Sequence, residues 1–277
     1  MPTSLRSLLP LPPAVRALLL VNVGVFVLNA LLLGRLSEPA RGGWFAFSGP
    51  GLLDGFGLGA LRVLTYQFTH AFTDPLHLVM NLVALWVFGP MAEARLGTGG
   101  VVRLYLWGGI AGAAGHLLLS VATGHPGVAL VGASGACYAL LLFAACVEPH
   151  TRIVFVIVAM PLWGLAALLV GLGAYLTFVE LATGSSGGVA HSAHLAGALT
   201  GWLAHRARWF GARSGAGVLE RLWSALRERR ARRQHDEAAA RELQLDAILA
   251  KVKLSGLAAL DGAERRFLAQ ASQRARR

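Results

Sequence analysis

The 277-residue chain predicts an all-α fold: a polytopic bundle of six transmembrane helices with a membrane-embedded first loop and a cytoplasmic helical tail. Three observations carry this. Hydrophobic residues make up 55% of the chain and charged residues 14%, where a soluble domain carries about a quarter charged. The apolar residues fall into stretches of about 20, the length of a bilayer-spanning helix. The net charge of +11 is concentrated at one end: residues 205–277 hold 17 Lys+Arg against 8 Asp+Glu, and residues 1–204 hold 8 against 6. Such hydrophobicity excludes a disordered chain, and charge gathered in a tail speaks against a basic nucleic-acid-binding body.

The elements follow in order. The first span is Ala14–Leu33, behind Arg6, Pro10, Pro12, Pro13 and Arg16. It is long for a signal peptide and shows no clear cleavage site, so it reads as a retained anchor. Residues 34–75 mix Trp44, Phe45, Phe47, Leu52, Leu53 and Phe56 with glycines. They are too apolar for a solvated loop and too broken for one span, which places them on or in the membrane surface. Further spans are read at Leu76–Ala94, Val101–Ala122 and Ala133–Val147. Pro161 divides 152–182 into an apolar lead-in, 152–160, and a fifth helix near Pro161–Leu181; the sixth is Val189–Ala207. Cys137 and Cys146 share the fourth helix, about 13 Å apart along its axis, too far for a disulfide.

Orientation follows from the arginines. The N-terminus, the 2–3 connection (Arg95, Arg103), the 4–5 connection (Arg152) and the tail are basic. The 3–4 and 5–6 connections carry no Lys or Arg; the first long loop runs against the pattern with Arg35, Arg41 and Arg62, but long loops weigh little in this rule. Both termini therefore read as cytoplasmic. Helices two, four and six then start from the external side and carry His77 and Asn81, Ser134, and His191 and His194 near their starts. Polar groups at such depth are costly and mark function.

Ser134 lies in Gly132-Ala133-Ser134-Gly135 at a helix start, where free backbone N–H groups face a developing anion. A serine nucleophile needs a neighbouring base, and His194 supplies one if helices four and six touch. Gly197 and Gly201, below His194, form a GxxxG face that permits such contact. His77 and Asn81, at i and i+4, share one helix face and offer donors for an oxyanion. Each piece has a plain structural reading: a small-residue packing patch, a hydrogen-bonded core histidine, a polar clamp between helices. No acid completes a triad, so a catalytic site here is a Ser-His dyad. The rival chemistry is a metal held by His70, His77, His191 and His194. The HExxH pattern is absent, and metal ranks below serine chemistry.

Taken together these motifs resemble the rhomboid family of intramembrane serine proteases over residues 14–207. His77-Leu78-Val79-Met80-Asn81 resembles its HxxxN, Gly132-Ala133-Ser134-Gly135 its GxSG, and Ala193-His194 with Gly197 and Gly201 its AHxxGxxxG. Tyr138 matches the tyrosine that packs on the family's catalytic histidine, and Thr65–Ala71 resembles the lead into its second helix. The resemblance implies Ser134 as nucleophile and His194 as general base. It implies an oxyanion hole of His77, Asn81 and the Ser134 N–H, with Tyr138, Gly132, Gly135, Gly197 and Gly201 in support. It implies no cofactor and no metal. It points to a bacterial inner membrane with the site facing outward, and to single-span membrane proteins as substrates. Two features depart from the pattern: Leu61-Arg62 stands where the family has Trp-Arg, and the stretch from His70 to His77 is two residues longer than usual. The alternative is a catalytically inactive relative that only binds membrane helices; such relatives typically lack the serine or the histidine.

The organisation is then a cytoplasmic N-terminus (1–13), the membrane domain (14–207), a basic amphipathic linker (208–245) and a small helical module (246–277). In the linker Leu219, Leu222, Trp223 and Leu226 form one stripe opposite Arg227 and Arg230, a pattern that suits anionic lipid. Nucleic acid is not an expected partner. In the last segment Ser255-Gly256 breaks a helix, and Asp261 with Glu264 forms a capping pair that opens another. The run 246–272 resembles a module appended to some bacterial rhomboids, and the resemblance implies no function for it.

Overall fold

The first helix, α1 (Pro13–Leu31), starts where the sequence places it, with Pro13 in its first turn, a position whose missing N–H costs nothing. In the computed structural model the described residues are 11–39, 43–155, 157–185, 189–210, 236, 240, 242–256 and 259–275; for 55, 56, 269, 270 and 272–275 only the backbone is described. Arg6, Pro10, Arg41 and the stretch from Leu219 to Arg230 lie outside them. The chain divides into two compact units, 1–214 and 215–277.

In the first unit the segment after α1 folds as short turns of 3₁₀-helix, Pro50–Leu53, Gly55–Leu61 and Tyr66–Phe68, with a single α-turn, α2 (Arg62–Thr65). It is pinned at named points. Asn29, fully buried in α1, donates to Ser37 Oγ and His70 O and accepts from Leu36 N. Arg62 donates to Asp54 at 2.8 Å and to Gly51 O. Phe47 and Leu130 exchange two backbone hydrogen bonds, which tie this segment to the strand-like approach to Ser134.

Helix α3 (Pro75–Ala122) runs for 48 residues, broken at Gly97, whose φ of 70° and ψ of 171° are not helical. It is thus two rods, each over 20 residues long, matching the second and third spans of the sequence reading. Glu93, buried before the break, accepts hydrogen bonds from Ala14 N (3.1 Å), Val15 N (3.0 Å) and Thr98 Oγ1 (2.9 Å). One carboxylate thereby satisfies free N–H groups at the start of α1 and fastens it to both halves of α3.

Helices α4 (Ser134–Val147), α5 (Leu162–Thr183) and α6 (His191–Arg206) complete the bundle. By length and composition α1, α3 and α5 can each cross a membrane, and α4 is a shorter apolar helix. The expected apolar lead-in at 152–160 is instead an antiparallel hairpin, β1 (Arg152–Phe155) paired with β2 (Val158–Pro161). The reason lies in its alternation: Ile153, Phe155 and Met160 share the face that packs on the bundle core, a period-two pattern within an unbroken apolar run.

The second unit contains α7 (242–255), which ends at Gly256 with φ of 75°, and α8 (Gly262–Ala275). Asp261 Oδ1 accepts from Glu264 N and Glu264 Oε2 accepts from Asp261 N, both at 2.8 Å, the reciprocal cap anticipated from sequence. Lys251 pairs with Glu264 at 2.9 Å, joining the two helices.

Candidate active site

Gly132 shapes the approach to the site. Its φ of +109° is one that only glycine adopts easily. A Cβ there would lie 2.6 Å from Cε1 of His77, so the residue is excluded from being anything larger on two counts. Its N–H donates to Tyr66 O, and two residues later the chain turns into α4 with Ser134 as the first helical residue. The N–H groups of the first α4 residues have no intrahelical acceptor and surround the serine.

His194 sits in the first turn of α6. Its Nε2 lies 2.8 Å from Ser134 Oγ. The ring is stacked on Tyr138, centroids 4.4 Å apart and planes within 6°, and His191 meets it edge-on at 5.9 Å. Its Nδ1 is buried and has no hydrogen-bond partner among the described residues. Among the described residues no carboxylate bonds to this imidazole; the stacked tyrosine ring sets its plane.

The closeness of the pair rests on the backbone. A Cβ on Gly197 would run into the carbonyl of Gly135, and one on Gly201 into that of Ala139. Helices α4 and α6 therefore touch main chain to main chain, the approach that a GxxxG face allows. The second half of α3 joins them through Gly108, against Ala136 and Ala139, and Gly115, against Ser192 and Ala196.

His77 and Asn81 lie across from this pair on α3. Asn81 Nδ2 donates to His77 O and to His70 Nε2, each at 3.0 Å. Both N–H bonds of its amide are thus engaged within the fold. His70, fully buried, also receives the N–H of Ala133 at 3.4 Å through the same Nε2, and its ring meets His77 edge-on at 5.2 Å. The sequence marked His70 as a possible metal ligand and as part of the lead into the second helix. Here it joins Asn81 to the residue before Ser134, which no spacing within one helix could reveal. The four histidines form two pairs, and among the described residues no group of three or more His, Cys, Asp or Glu is placed to hold a metal ion.

No curated protein matches the chain. Residues 58–209 match the family described as Rhomboid domain; the match takes in α2, the whole of α3, α4 and α5, and α6 with the Ser134–His194 pair. Because that match covers more than half of the sequence, the chain belongs to the rhomboid family, integral membrane proteins that are generally intramembrane serine proteases.

Proposed function

We propose that the protein is an active intramembrane serine endopeptidase working through a Ser134–His194 dyad. The observation that carries this reading is the 2.8 Å contact between Ser134 Oγ and His194 Nε2, a hydrogen bond of the length that general-base catalysis requires. His194 takes the Ser134 hydroxyl proton as Oγ bonds to the scissile carbonyl carbon. The negative charge moves to the carbonyl oxygen. His194 then protonates the leaving amine nitrogen as the C–N bond breaks. In the second half a water gives its proton to His194 while its oxygen attacks the acyl-serine, and the serine leaves with that proton.

The oxyanion is met by the Ser134 N–H at the start of α4, by His77, whose ring lies against Gly132, and by Asn81 once it releases an N–H from His70. Such prearranged donors commonly supply the largest part of the rate. Depth has a physical basis too. The 14 residues of α4 span about 21 Å, short of a hydrocarbon core about 30 Å thick. A helix that short leaves its serine end below the lipid surface, within reach of water from outside.

The arginine distribution supports an arrangement with both termini cytoplasmic and the dyad toward the external face of a bacterial inner membrane. The substrates are single-span membrane proteins, and the basic tail adds contact with anionic lipid. The test is labelling of purified protein by a fluorophosphonate, together with cleavage of a single-span substrate. Wild type is expected to label and cut. Ser134→Ala is expected to do neither, and His194→Ala to lose both while remaining folded. Undiminished cutting by Ser134→Ala would sink the mechanism.

A further inference from the structure

Helix α7 has two apolar faces, and the fold uses one. Ile248 is buried, with Leu245 and Val252 half-buried on the same side. On the opposite side Leu243, Ala247, Ala250 and Leu254 recur at i, i+4, i+7 and i+11, a heptad stripe. All four are exposed, the two leucines 71% and 86%. A lone surface leucine needs no explanation; a heptad stripe along three turns does.

We propose that this stripe is the contact between two copies of the chain, packed as an antiparallel pair of α7 helices. Antiparallel pairing sets Leu243 against Leu254 of the other copy, and Ala247 against its Ala250. The two central alanine layers let the helices approach closely, and the leucines close both ends. The flanking charges choose the direction. Asp246 and Lys253 lie on one edge of the stripe, seven residues apart, where antiparallel pairing brings each beside its opposite in the other copy. Parallel pairing would instead ask Asp246 to meet Lys251, which Glu264 already holds at 2.9 Å. The stripe is short for a stable dimer in dilute solution. Two copies held in one membrane meet at a far higher effective concentration, so the contact belongs to the membrane-bound protein.

The experiment uses full-length protein in lipid vesicles, in a Cys146→Ser background because Cys137 is buried. Ala247→Cys and Ala250→Cys proteins carrying different tags are mixed and oxidised. The expected result is cross-linking between the two tags, several-fold above that of either variant alone. Asp246→Lys and Lys253→Asp should each lower it several-fold, and the double variant D246K/K253D should restore it. That rescue separates pairing from damage to the fold. Absence of cross-links, cross-links confined to like positions, capture of the stripe by residues 219–226 of the same chain, or a double variant no better than the singles would each overturn the proposal. So would a probe at position 254 that is buried in lipid while the chain stays monomeric.

Discussion

The phenol ring of Tyr138 lies flat against the imidazole of His194, one turn of α4 beyond Ser134. The stack fixes the plane of an imidazole whose Nδ1 has no hydrogen-bond partner among the described residues. Offset or stacked aromatic pairs contribute about 0.5–1.5 kcal/mol beyond their burial, roughly a 2- to 10-fold effect on a rate. Tyr138→Phe should cut a single-span substrate within about twofold of wild type. Tyr138→Ala should fall about tenfold in kcat/KM, with Ser134 labelling slowed to match.

Gly132→Ala meets two obstacles, the positive φ and the ring of His77. The conformational cost is about 1–2 kcal/mol, and relief of the clash moves His77. The variant should stay folded, with a modestly lowered melting temperature, yet lose about a hundredfold or more in cleavage, as removal of an oxyanion donor does. A variant with full activity would remove His77 from the proposed oxyanion hole.

Glu93 joins α1 to both halves of α3 far from the dyad. Hydrogen bonds to a charged group are worth about 1.5–3 kcal/mol each, and orphaned buried donors add to the cost. Glu93→Ala should therefore lower unfolding stability by about 2–4 kcal/mol. Glu93→Gln, which keeps one acceptor oxygen, should cost less. Unfolding in mild detergent measures both. Activity at low temperature should be retained, because the residue touches nothing in the site.

Gly201→Val places a branched side chain where the Ala139 carbonyl lies. The helices must separate, and the Ser134–His194 hydrogen bond should break with them. The expected outcome is loss of fluorophosphonate labelling together with reduced thermal stability. Ser134→Ala should lose labelling alone.

In the second unit the hydrogen bond from Glu264 N lowers the pKa of Asp261, and the ion pair with Lys251 lowers that of Glu264. A carboxyl whose folded pKa is depressed adds stability that is complete above its ordinary range, about pH 4–4.5. That stability is lost as pH falls through the depressed value. Amide exchange at Ala263 and Glu264, whose N–H groups both bond to Asp261, should accelerate relative to α7 amides below about pH 4. Asp261→Ala should abolish that difference.

Much of this was legible in the sequence because the informative residues are the wrong type for their surroundings. Ser134, His194, His77 and Asn81 stand out in apolar helices, and Gly197 and Gly201 announce a close helix contact. The break at Gly97 was legible too, since Glu93 and Arg95 interrupt the apolar runs on either side. The hairpin at 152–161 was not, because the nine apolar residues after Arg152 read equally well as helix or strand. The link from His70 to Asn81 and Ala133 was hidden for a different reason: it is made by a loop, a helix and a turn that meet only in the folded bundle. The glycines of α3 at 108 and 115 were likewise silent, because glycine is frequent in membrane helices everywhere.

The main-chain contact between α4 and α6 has a consequence for how a substrate is received. Where Gly197 and Gly201 meet the carbonyls of Gly135 and Ala139 no side chain cushions the two helices, so a slide at those points drives a carbonyl into a Cα. The separation of Ser134 and His194 is therefore set by backbone contact between the helices that carry them. Under the proposed function, a peptide bends to this pair rather than the pair to the peptide.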